Sequence, residues 1–307
     1  MTTDLTVRTD TEPRRRLGLR ERLSAEWQDY AQAIAPWLIA LAFVALEIRR
    51  VWNQIAVRYP DFFSWAERAA RLDFTNLAHP DWVHGLYPLG YPLLLRLGRE
   101  LGVDVLRTAF ALSIFGGFLG LLGTYWLVRR MTGRWWLAIL TELLQACMAF
   151  YLFFANLDST DMLASGLILC AFPLLFSEKR QRTAAFWAGL LVGLSYLIRY
   201  TASVTVLLCV LFLLLPFVAR RQRESLWITG FFLLGALLGA FPQFLCSFLI
   251  KGNPLYNEEA RTLWIHLRGS ADFIYTWNEA PADIGALEVM FGQPKTLLTH
   301  WGKTQYP

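Results

Sequence analysis

Charge is thin in this sequence, and lysine is almost missing from it. Of 307 residues 17% are charged, and the 29 basic ones comprise four lysines and 25 arginines. With 55% hydrophobic residues and a mean hydropathy of +0.37, the chain has too little polar material to surround its apolar content, which excludes a soluble two-domain enzyme and a disordered chain. Cysteine is sparse as well: Cys147, Cys170, Cys209 and Cys246 each lie inside an apolar run. A thiol there behaves as a small hydrophobe, which excludes a disulfide scaffold. No nucleotide loop is found, because Gly302, Lys303 and Thr304 mimic its end but Leu297 stands where its first glycine belongs. Repeated halves with matching broken helices are also missing, which argues against a transporter.

What is present is a series of long apolar runs. A bilayer core needs about 20 mostly apolar residues per helix, and on that measure about seven spans are expected. They cover Ala33 to Val51, Arg107 to Val128, Trp135 to Ala155, Asp161 to Phe176, Ala184 to Tyr200, Ala202 to Val218 and Leu226 to Ile250. The fold class is therefore all-α and integral to a membrane, and the first span, with no cleavage site after it, reads as an anchor. Glycine pairs at four-residue spacing, Gly116 with Gly120, Gly189 with Gly193 and Gly235 with Gly239, read as close helix packing.

Arginines fix the expected topology. Clusters at Arg14–Arg16, Arg129 with Arg130 and Arg134, Lys179 with Arg180 and Arg182, and Arg220 with Arg221 and Arg223 fall at alternate span ends. The positive-inside rule then places residues 1–32 in the cytoplasm, 33–250 in the bundle with an outer loop at 52–106, and 251–307 on the outer face of a plasma membrane. Arg49, Arg50, Arg58, Arg68, Arg71, Arg96 and Arg99 dissent by gathering around that loop. A net charge of +5 would suit nucleic acid, but arginines interleaved with apolar spans point to membrane lipids and phosphates as partners.

Within the outer loop, Phe62 to Phe74 reads as an interfacial helix with Phe63, Ala66, Ala70 and Phe74 on its apolar side; a second starts at Pro92, and the tail offers a third from Asn257 to Leu267. Glu142 in the third span reads as a carboxyl held by an interhelical hydrogen bond. His79, Asp81 and His84 form the only group suited to a divalent ion, at a spacing that matches no standard site; no cofactor is otherwise implied. Acids Asp61, Asp158 and Asp161 gather at the outer boundary with Arg199. A guanidinium pairs with phosphate and a carboxylate accepts a proton from a hydroxyl, so this is equipment for handling a phosphorylated lipid.

The segment Leu86-Tyr-Pro-Leu-Gly-Tyr-Pro-Leu-Leu-Leu95, the acidic start Thr160-Asp161-Met162-Leu163, the run Gly193 to Ala202 and the run Gly252 to Asn257 together resemble the polyprenyl- or dolichyl-phosphate-sugar glycosyltransferases of the GT-C fold. That group includes protein O-mannosyltransferases and the aminoarabinose transferase. The likeness extends over roughly residues 30 to 270. It implies that Asp61 is the catalytic base, Asp161 a second acid near the sugar and Arg199 a ligand of the carrier phosphate, with Asp158, Arg68 and Arg71 as secondary ligands. Phe62 follows Asp61 where the family usually repeats an acid, and the chain stops at Pro307 where relatives continue, so it reads as a short or truncated member.

The sequence thus points to a membrane glycosyltransferase that moves a sugar from a polyprenyl-phosphate carrier to a hydroxyl on the outer face. The alternative is an accessory subunit that keeps the scaffold and leans on membrane-protein partners. An open groove reaching Asp61 and Arg199 separates the two.

Overall fold

The computed structural model describes residues 19–53, 61–76, 79–176 and 181–268, with single positions beyond. Arg58 to Pro60, the basic residues before position 19, Lys179 and Arg180, His300 and most of the tail lie outside the described residues. In chain order the helices are α1 (Leu19–Asn53), α2 (Phe62–Arg71), α3 (Gly90–Glu100), α4 (Val105–Thr132), α5 (Trp135–Cys147), α6 (Ala149–Ala155), α7 (Asp161–Leu175), α8 (Gln181–Ile198), α9 (Ala202–Arg220), α10 (Glu224–Lys251) and α11 (Glu259–Arg268). Their ends follow local chemistry. The Asp104 side chain accepts from the Leu106 and Arg107 amides to start α4, and Gly133, at φ 69°, ends it in the left-handed conformation.

Every expected span is helical, but the count of about seven is too high. Among the described residues four helices are long and apolar enough to cross a membrane, or five if a bent pair counts as one. The shortfall has plain causes. Helix α7 has 15 residues, about 22 Å at 1.5 Å per residue against a hydrocarbon core of about 30 Å. Helix α8 opens on Gln181, Arg182 and Thr183. The third expected span is broken at Met148, where α5 and α6 meet at 64°, because that residue adopts an extended backbone. Neither proline nor glycine stands at the break, so the sequence carries no sign of it.

Glycines make the tightest contacts. A side chain at Gly189 would run into the Phe232 carbonyl of α10, one at Gly193 into the Ala236 carbonyl, and one at Gly235 into the Phe186 carbonyl of α8. The α8 and α10 backbones therefore interlock, which neither would tolerate with a Cβ. Gly116 does the same for α4 against Met162 and Leu163 of α7. Glu142 corrects another expectation: it is fully buried, yet both carboxyl oxygens lack a hydrogen-bond partner among the described residues.

The two ends of the bundle differ. At one end the Tyr125 hydroxyl donates to the Gln32 carbonyl, Arg129 reaches the Gln32 side chain, and Arg182 pairs with Glu224. At the other, α2 and α3 lie across the ends of α4, α7 and α8 around a core of Phe62, Trp65, Tyr91, Leu95, Leu163 and Ile198. Helix α2 turns the opposite side inward from the one expected. Phe62, Trp65, Arg68 and Ala69 are buried while Phe63 is 59% exposed, because a buried arginine displaces the side that sequence periodicity favours.

Candidate functional site

The loop between α2 and α3 is fastened by polar groups to backbone. Arg68 donates to the carbonyls of Asp81 (2.8 Å), Trp82 (2.9 Å), Tyr87 (2.7 Å) and Pro88 (3.3 Å). Burial lowers its pKa to about 10, with Tyr200 and Asp81 opposing the shift, so it stays charged at neutral pH. The Gln243 side chain of α10 accepts from the Leu89 amide at 2.7 Å, and the Tyr200 hydroxyl donates to the His84 carbonyl at 3.0 Å. These ties set the start of α3 against the ends of α8 and α10.

Arg68, expected as a phosphate ligand, is spent on this framework. Arg71, its companion in that expectation, is exposed and paired with Glu67 one turn away. The suggested metal group is dispersed too. His79 pairs with Asp81 at 3.3 Å, whereas His84 accepts from the Leu86 amide at 3.1 Å and stacks on Tyr87. Among the described residues no three His, Cys, Asp or Glu side chains are grouped to hold a metal ion.

The remaining candidates converge at the same end of the bundle. Arg199 follows the last residue of α8 and forms an ion pair with Asp161, the first residue of α7. It also approaches the Thr160 hydroxyl at 3.4 Å. The pair is half-buried, with Arg199 39% and Asp161 25% exposed. The Ser113 hydroxyl of α4 holds the preceding turn through the Leu157 (2.5 Å) and Ser159 (3.2 Å) carbonyls. Within that turn Asp158 is fully buried, Ser159 approaches the first amide of α7, and the Thr160 side chain makes no capping bond. The buried Tyr91 of α3 has its pKa raised, chiefly by burial and then by the Asp158 charge.

Asp61 stands at the start of α2, half-buried, its side chain making no capping bond. It is covalently next to Phe62, as Asp161 is close to Leu163 and Arg199 next to Ile198, and those three apolar residues share one core cluster. Asp61 thus belongs to the same end of the bundle as the Asp161 and Arg199 pair.

Beside Arg199 opens a groove of about 560 Å³ between α8, α9 and α10. Its floor includes Gly193, Ala236 and Ala240, its walls Val204, Leu237 and Phe244, and its rim Tyr200, Asn257 and Glu259. Glu259, from α11, has its pKa raised by burial, with the Arg199 charge pulling it back down. Glu259 went unrecognised in the sequence because nothing local separates it from Glu258. Glu47 was missed as well: it is fully buried near the end of α1, where it pairs with Arg50 and accepts from Asn156. An acid inside an apolar span was the available signal.

The described residues form a helical bundle with membrane-crossing helices, and a half-buried cation and carboxylate meet at the end where the groove opens, which defines the class as an integral membrane protein. The particular family is given by a family model, Dolichyl-phosphate-mannose-protein mannosyltransferase, that matches residues 87–245. More than half of the chain is covered, and the protein belongs to this family of membrane glycosyltransferases. No curated protein and no solved structure matches the chain.

Proposed function

We propose that the protein is an inverting glycosyltransferase that moves a sugar from a polyprenyl-phosphate carrier to a hydroxyl acceptor on the outer face of the membrane. The observation that carries this reading is the Arg199 and Asp161 pair beside an apolar groove. The groove suits an isoprenoid tail and the guanidinium suits its phosphate, since Arg199 bonds only to Asp161 and Thr160 among the described residues and keeps other N–H groups of its fork for a ligand. Orientation rests on Arg129, Arg130, Arg182, Arg220 and Arg221, which belong to the opposite end of the bundle and favour the cytoplasm.

In this scheme the acceptor oxygen attacks the anomeric carbon while the Asp61 carboxylate takes its proton. The bond from that carbon to the phosphate oxygen breaks, and its electron pair leaves with the carrier phosphate, which Arg199 stabilises. One displacement inverts the configuration. Asp161 aims the guanidinium and stands beside the sugar, with Asp158 buried behind it.

The test is transfer from polyprenyl-phosphate mannose, the donor suggested by the family, by protein reconstituted in nanodiscs. Asp61→Asn should lower kcat about 10²- to 10⁴-fold with donor binding retained, and Arg199→Ala should weaken donor binding. Full activity in Asp61→Asn would remove it as the base. A parent protein that binds no polyprenyl-phosphate sugar would favour the accessory-subunit alternative.

A further inference from the structure

A second cavity, of about 620 Å³, opens where α1 meets the elbow between α5 and α6, and Leu46, Glu47, Arg49, Arg50, Ala146, Cys147 and Leu152 line it. None of these residues lines the groove beside Arg199. Arg49 and Arg50 are two of the arginines that break the positive-inside pattern, so topology does not account for them. Glu47 does not simply neutralise them. It is fully buried, anchored by the Asn156 amide, and pairs with Arg50 at 3.2 Å, which fixes that guanidinium at the cavity. Arg49 has no ion-pair partner among the described residues and is exposed. The flanking surface is apolar and open, with Leu46 61% and Leu144 61% exposed.

We infer that this cavity binds the headgroup of an anionic phospholipid, its phosphodiester between Arg49 and Arg50 and its acyl chains along α1 and α5. Charge complementarity selects the occupant. Two arginines at the end of an apolar helix, one of them held by a buried carboxylate, offer paired guanidiniums to a lipid phosphate beside apolar surface for its chains. The inference does not depend on the transferase reading, because it uses other residues and another cavity.

Cys147 lines the cavity and is the only exposed cysteine of the four, so it reports occupancy directly. The full-length protein, labelled there with an environment-sensitive fluorophore in phosphatidylcholine nanodiscs, is titrated with short-chain phosphatidylglycerol, short-chain phosphatidylcholine or inorganic phosphate. Phosphatidylglycerol alone should shift the fluorescence. Arg49→Ala and Arg50→Ala should each weaken that response about five-fold, whereas Arg130→Ala, the same charge change at the other end, should leave it unaltered. An equal response to phosphatidylcholine, an unchanged Arg49→Ala/Arg50→Ala double variant, or equal weakening by Arg130→Ala overturns the assignment. Saturation by inorganic phosphate would also overturn it, by making the site one for free anions.

Discussion

Arg68 offers the sharpest test of how the loop between α2 and α3 is built. Its guanidinium donates to four backbone carbonyls and is only 7% exposed. Each hydrogen bond from a charged group contributes about 1.5 to 3 kcal/mol, offset by the cost of burying the charge. Replacing the side chain by alanine also leaves four carbonyls facing a void that water fills incompletely. A net loss of about 3 to 5 kcal/mol follows, which for a chain of this size lowers Tm on the order of ten degrees. Arg68→Lys should recover only part of it, because an ammonium has three donors and cannot span the fork. The assay is thermal unfolding in detergent followed by tryptophan fluorescence, with hydrogen exchange read over residues 79–100. A Tm for Arg68→Ala within about two degrees of the parent, with unchanged protection over those residues, would refute the argument.

Other outcomes follow from neighbouring features. Gly189→Leu should prevent α8 from meeting α10 at the Phe232 carbonyl, and size-exclusion chromatography should show loss of monodisperse protein; normal elution and Tm would contradict the interlock. Val204→Trp, at an exposed residue lining the groove, should raise KM for a polyprenyl-phosphate donor while leaving Tm unaltered. His84 has its pKa pushed below its usual 6.5, first by burial and then by Arg68. Protonation is therefore disfavoured in the folded loop, whose stability is complete above 6.5 and falls as pH drops below it; protection factors over residues 79–90, taken relative to the intrinsic exchange rate at each pH, should fall on acidification, and His84→Gln should flatten that response. Glu259 has its pKa raised by burial, with Arg199 opposing, so docking of α11 is favoured in acid and weakens as pH climbs above the usual 4.5. Proteolysis after α10 should follow that trend, and Glu259→Gln should abolish it.

Much of the fold was legible because bilayer burial writes long apolar runs. All seven runs became helix, and the glycine pairs predicted close helix packing, though not which helices meet at them. The elbow at Met148 was not legible, since it has no proline or glycine. Nor was the inward side of α2, where one arginine satisfying four carbonyls outweighs the hydrophobic pattern that would have buried Phe63. At the candidate site Asp161 and Arg199 stood out as charges at span ends, and they touch. Arg68 and Arg71 looked equivalent on paper, yet one is buried framework and the other a surface pair. The difference is set by loop carbonyls far along the chain, which side-chain spacing does not encode.

The floor of the groove beside Arg199 is formed by Gly193, Ala236 and Ala240, the same stretch in which α8 and α10 come closest. Small side chains therefore set the depth of the groove along α8 and α10, which is adjustable in steps of a single methyl group. Under the proposed function, valine or leucine at 236 or 240 restricts the groove to shorter or thinner tails on an unchanged scaffold. Tail selection in that reading is therefore separable from the charged groups at the rim, which those substitutions leave untouched.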